Sequence, residues 1–460
     1  MEQVTTSVDQ LSIETPSLDP SSSELQHLLP DVNSLDPEVK LRAVRAIRSL
    51  VSQPDEYSIH CINIINQTES VNNICEIALD TCCDVQLTRE ASWLLSNLAS
   101  VSGDDVLPLF KSNYLNTIVS LLKNTDPQVL EQAFLALGNV VGEPKSRREL
   151  LKVDYEGIVC KVFEIVKHND PKLNGVVSHC VWFLSNFVRS PFDMNFESII
   201  DTTIAIAKFI FYNNTNFTPQ IINDNTWIFA FLTEDEDVVE VYIDEELMLA
   251  MIELLNSDVT TTRKAALITI GNTIACTSQF TESIANHDLM HYIKKCVMKE
   301  TPKERKEALW VLSNIVAETS EPLIDVLFEY DLATRVIKIL KENDCVECFF
   351  VIANAFTNGT LKQLMELAKL GGLTALCRFL DSSRWDLVVG CLEAITVILE
   401  VSMSITTGGS ASIFQIMLEK NGAFEKMTHM LEDEEWVECH SMIEGIFDMI
   451  NRNETKIENC

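Results

Sequence analysis

Apolar Val39, Leu41, Val44, Ile47, Leu50 and Val51 follow Asp36-Pro37-Glu38 at helical spacing, with Pro at the first helical position and an acid in the first turn. Further on, the pattern predicts a helix over 114–123, a polar break at Asn124-Thr125-Asp126-Pro127, and a longer helix over 128–141. The break recurs at Asn169-Asp170-Pro171, Asn256-Ser257-Asp258, Glu300-Thr301-Pro302, Asn343-Asp344 and Asp381-Ser382-Ser383, each time before a long apolar stretch. A short helix, a medium helix, a turn and a long helix therefore form a unit that repeats along the chain.

The long helices carry a common marker. Glu307-Ala308-Leu309-Trp310-Val311-Leu312-Ser313-Asn314 sets a Trp and an Asn four apart, one turn of helix on one face. Trp93…Asn97 and Trp182…Asn186 repeat it, and Leu135…Asn139, Trp227…Phe231, Ile268…Asn272 and Phe350…Asn354 repeat it with one member changed. The second members stand at 97, 139, 186, 231, 272, 314 and 354, separated by 42, 47, 45, 41, 42 and 40 residues. Such a period means stacked helical repeats, each burying its apolar face against its neighbours, and so one elongated domain.

Composition agrees: 47% apolar residues with only 14 Gly and 13 Pro in 460 suit a mostly helical protein with a distributed core. The net charge of −33 argues against nucleic acid as a partner, since phosphate is bound through clustered Lys and Arg, and favours a basic partner. No apolar run is long enough to span a membrane; Ile204 to Phe211 reads as a buried helix. Residues 1–35 lack Lys and Arg and are expected to be a disordered acidic tail, 36–450 the repeat domain, and 451–460 a short C-terminal tail. Fourteen Cys are expected to be reduced, mostly small core residues. Cys345-Val346-Glu347-Cys348 has redox or metal-ligand spacing, but a four-ligand metal site needs two more donors and the stretch falls in an expected helix. The chain shows no paired nucleophile and base, no Gly-rich phosphate loop and no metal spacing, so neither catalysis nor a cofactor is expected.

The strings WLLSNLAS, LALGNVVGE, WFLSNFVR, TWIFAFLTEDED, ITIGNTIA, KEALWVLSNIVAE and VIANAFTNG, taken in order, resemble successive third helices of importin-α, the adaptor that carries nuclear localisation signals. The resemblance covers roughly residues 36 to 450. It implies an all-α, right-handed superhelical solenoid of about ten armadillo repeats. By the same resemblance the protein is an adaptor of the cytoplasm and nucleus whose partners are proteins with Lys/Arg-rich signals, together with importin-β and the importin-α export receptor.

A column of Asn amides, each with donor and acceptor, suits the backbone of an extended peptide, while Trp faces flank slots for Lys or Arg side chains. The alternative is that the Trp residues are core packing and the Asn residues tie helix to helix. The resemblance implies a larger pocket of Trp93, Asn97, Asn139, Glu143, Trp182, Asn186, Asp224 and Trp227, and a smaller one of Asn272, Glu307, Trp310, Asn314, Glu347, Phe350 and Asn354. Leu135, Phe350, Ile268, Ser278, Val101 and Val106 depart from the family pattern, so the larger pocket is expected to be degraded and the smaller one better preserved. The family's basic importin-β-binding segment is not recognisable before Lys40, the first Lys or Arg, so classical recruitment of importin-β is expected to be lost: the chain lacks that carrier, engages it by another surface, or is not an import adaptor. A second reading stands beside the adaptor: an armadillo scaffold for another protein, with an eroded groove.

Overall fold

The computed structural model describes residues 20–52, 56–80, 82, 84–168, 170–189, 197–299, 304–403 and 413–458. The polar breaks at Asn169 and at Glu300-Thr301-Pro302, and residues 1–19 of the expected tail, lie outside them. All regular structure among the described residues is helical. The protein is an all-α solenoid of stacked helical repeats.

The third helices are cut where the sequence places caps. Asp36, Asp84 and Asp126 each accept a hydrogen bond from the backbone N–H two residues on, opening Pro37–Leu50, Val85–Leu98 and Pro127–Gly142. Each such cap contributes about 1 kcal/mol by satisfying a donor that the helix leaves unpaired. Inside Val85–Leu98 the buried apolar residues are Leu87, Ala91, Leu94, Leu95 and Leu98, the stripe of an amphipathic helix.

The chain divides into two compact units, 1–228 and 229–460. A single elongated domain is expected from the period; in a stack whose repeats touch only their neighbours, contacts sort into local blocks. In the first unit, helices Pro37–Leu50, Val85–Leu98, Pro127–Gly142 and Asn174–Val188 pack one on the next. Its core is held by fully buried Phe134, Phe183 and Phe187, the latter two with ring centroids 5.6 Å apart. In the second unit Thr260–Cys276, Arg305–Ile315, Val346–Asn358 and Trp385–Met403 pack in the same succession, with Phe349 against Phe379 at 4.9 Å.

Two boundaries are corrected. The expected tail 1–35 is helical from Pro20 to Leu28 and again from Pro30 to Asn33, and Leu25 and Val32 are buried. Although this stretch has no basic residue, a few apolar side chains suffice to dock it on the helix Pro37–Leu50. At the other end the last helix runs from Val437 to Glu458, through the expected tail 451–460. Ile204, Ile206, Ala207, Ile210 and Phe211 are buried within Glu197–Tyr212, and no described helix is long and apolar enough to cross a membrane.

Candidate peptide-binding face

The Asn side chains of the repeat marker share one geometry. Asn139 Nδ2 donates to the Ser96 carbonyl at 3.2 Å and Asn186 Nδ2 to that of Gly138 at 3.5 Å. In the second unit Asn272 donates to Ala230 at 3.2 Å, Asn314 to Gly271 at 3.0 Å and Asn354 to Ser313 at 3.0 Å. Each acceptor is the residue just before the equivalent position one repeat earlier, in the C-terminal half of that repeat's third helix. The amide is thus a helix-to-helix tie, worth about 1 kcal/mol. It uses one N–H in four of the five, Asn272 donating also to Thr233 Oγ1 at 3.2 Å, and these five Oδ1 atoms make no hydrogen bond among the described residues. An amide has one more N–H and two acceptor lone pairs to offer. Asn97 differs: it donates to Ser52 Oγ at 2.9 Å.

Trp182 and Trp310 lie on the backbone of the preceding repeat. A Cβ added at Gly138 would come 2.2 Å from the Trp182 ring, and one at Gly271 2.2 Å from the Trp310 ring. Glycine is needed at both places because the indole occupies the space of a side chain. Trp182, Trp227, Trp310 and Phe350 are half-buried, whereas Trp93 is 42% exposed.

The acids are already engaged. Glu307 Oε1 pairs with Lys264 Nζ at 2.8 Å, and its Oε2 is buried without a partner among the described residues. Glu347 Oε1 stands 3.8 Å from Lys306 Nζ and its Oε2 3.6 Å from Cys345 Sγ. In the first unit the same arrangement involves residues absent from the sequence expectation. Arg48 lies over the Trp93 ring, Cζ 4.1 Å from its centroid, with Nε 2.5 Å from Glu90 Oε2, while Arg45 Nε is 2.9 Å from Glu90 Oε1. Glu90 stands three residues before Trp93, as Glu307 does before Trp310 and Glu347 before Phe350. That spacing, and a cation one repeat earlier, was the signal available in the sequence.

Of the remaining expected residues, Glu143 closes Pro127–Gly142; its Oε1 accepts the Lys145 N–H at 3.3 Å, and it forms no ion pair among the described residues. Asp224 is different from an acid at the end of an open slot. It is 7% exposed, accepts hydrogen bonds from Gln220 and Asn223, and burial pushes its carboxyl above the usual range. Val101 and Val106 are buried among the apolar core. The structure brings Glu307, Trp310 and Asn314 together on one helix and Glu347, Phe350 and Asn354 on the next, and Asn139, Trp182 and Asn186 on adjacent helices.

Helices stacked in repeats, with an Asn tying five of the third helices to the one before, define an armadillo-repeat solenoid. The chain is similar to importin subunit alpha-1b of Oryza sativa subsp. japonica, 25% identical over 351 residues that cover 75% of this chain and 64% of that one. Importin subunit alpha-6 of Arabidopsis thaliana is 28% identical over 211 residues, 46% of this chain and 37% of that one. The chain therefore spans less than two thirds of the length of these relatives. Among solved structures, an engineered protein superposes with a TM-score of 0.75 at 18% identity, covering 94% of this chain and 99% of that one, which bears on the fold alone. No family model matches the sequence. The protein is importin-α-like and divergent.

Proposed function

We propose that this protein is a nuclear import adaptor that takes extended, Lys/Arg-rich peptides along its Asn-bearing third helices. The observation that carries the reading is the half-used amide: Asn139, Asn186, Asn314 and Asn354 are each fixed by one hydrogen bond and Asn272 by two, and all five retain an uncommitted Oδ1. A peptide backbone needs such paired donors and acceptors, and fixed amides lose little entropy when they engage it. The seventh and eighth repeats carry the fuller set of acid, aromatic and amide. Cargo would be proteins with basic signals, with importin-β and the export receptor as further partners in the cytoplasm and nucleus; no catalytic step is involved.

Titrating a fluorescent Lys-rich peptide into the full chain tests this. Binding at micromolar Kd or tighter, weakening with salt and falling roughly tenfold or more in Trp310→Ala or Asn314→Ala, is expected. Absence of binding by the wild type overturns the adaptor reading. A scaffold for a different partner is favoured by one observation, the engagement of Glu90, Glu307 and Glu347 by the chain's own Arg48, Lys264 and Lys306.

A further inference from the structure

Cys345 immediately precedes the helix Val346–Asn358, and Cys348 sits in its first turn, where Phe349 N–H closes onto the Cys345 carbonyl at 3.0 Å. Helix geometry puts Cα atoms three residues apart at about 5 Å, inside the span a disulfide bridges. The two thiols are unlike. Cys345 is half-buried, with Sγ 3.6 Å from Glu347 Oε2, whereas Cys348 is fully buried. Around them lies an unspent positive charge: Nε and Nη2 of Arg305 are buried with no hydrogen-bond partner among the described residues, close enough to favour ionisation of the Cys348 thiol. Cys345 is pushed down to about 7, chiefly by the thiol of Cys348 donating to its sulfur, with the Cys348 backbone N–H acting the same way against burial. Cys348 itself is raised well above the usual thiol range, first by that same hydrogen bond and then by burial. A reachable thiol that ionises near neutral pH and a buried neighbour held in reserve are the two parts that thiol–disulfide exchange requires.

We propose that Cys345 and Cys348 are a reversible dithiol switch, closed to a disulfide by a small oxidised disulfide such as oxidised glutathione. The Cys345 thiolate attacks one sulfur of glutathione disulfide, forming a mixed disulfide and releasing one glutathione thiolate. Cys348 gives up its proton, attacks the Cys345 sulfur and expels the second glutathione. Two protein thiols are oxidised and one glutathione disulfide is reduced to two thiols. Closure also removes the Cys345 thiol from Glu347, so the switch acts on an acid of the proposed peptide face, but the chemistry does not depend on that face binding a peptide.

The test exposes the folded full chain to excess oxidised glutathione and maps every cysteine by mass spectrometry, with iodoacetamide labelling rates measured on the reduced protein. The expected result is a Cys345–Cys348 link that a reductant reverses, and alkylation of Cys345 several-fold faster than of exposed Cys160. Cys348→Ala, a small apolar change in a buried site, should stop at glutathione on Cys345, and Cys345→Ser, which supplies a good helix cap, should leave Cys348 unmodified. Wild-type protein that keeps glutathione on Cys345 without closing the link overturns the proposal, as does a Cys345 no more reactive than Cys160.

Discussion

The two units solve one packing problem and spend their cations differently. In the first, Arg48 lies on the indole of Trp93 while pairing with Glu90, so a basic side chain already fills an aromatic slot. In the second, Lys264 and Lys306 reach the acids Glu307 and Glu347, and no cation stacks on Trp310 or Phe350 among the described residues. An array of aromatics and acids is thus compensated from within in both units, on ring and carboxylate together in the first and on the carboxylate alone in the second. The second leaves Trp310 and Phe350 without a stacked cation among the described residues, so under the proposed function a peptide would compete there only for the acids.

The largest effect is expected where the units are alike. Gly271→Ala and Gly138→Ala each drive a methyl group into a Trp ring of the next repeat, and each should destabilise the protein by about 1 to 3 kcal/mol, seen as a lower urea midpoint. Adding Trp310→Leu should recover most of the Gly271→Ala loss; if it does not, the indole is not what requires glycine there. Next comes the charge difference. Lys264→Met keeps an apolar stem and frees Glu307, so affinity for a Lys-rich peptide should rise about two- to fivefold, the scale of a single partly exposed ion pair. Lys306→Met, at 3.8 Å and more exposed, should do less, and unchanged affinity in both would show that these acids take no part. The smallest effect concerns Asp224 in the first unit. Burial raises its carboxyl, so any stability that it contributes is present below the ordinary carboxylate range and declines as pH rises through the raised value. Asp224→Asn can still accept from Gln220 and Asn223 and should be neutral or slightly stabilising at pH 7, with a flatter pH profile of the urea midpoint. A clear loss at pH 7 would mean that the charge itself is needed there.

Much of the fold is legible in the sequence because the signals are local. Asp36, Asp84 and Asp126 cap helices within two residues of themselves, and the stripe from Leu87 to Leu98 needs only the pitch of a helix. The Asn column, too, is visible as a period, although whether an amide ties helices or meets a peptide is not; the structure shows the tie and leaves the other half of each group open. Asp224 is assigned to the larger pocket by resemblance and proves buried, because exposure depends on what the neighbouring helices cover. Leu25 and Val32 read as part of a tail for the same reason, since their partners lie elsewhere in the chain.

By itself, then, the sequence determined an all-α repeat architecture, its period and the residues that mark it, all set by spacing within single helices and by recurrence. Only the tertiary structure decided that Trp rings rest on Gly138 and Gly271, that Arg48 covers Trp93, that Lys264 holds Glu307, and that Arg305, with buried Nε and Nη2, comes near enough to Cys348 to favour its ionisation. Most of these meetings join residues about one repeat apart, and which atoms touch there is set by how closely one helix settles on the next.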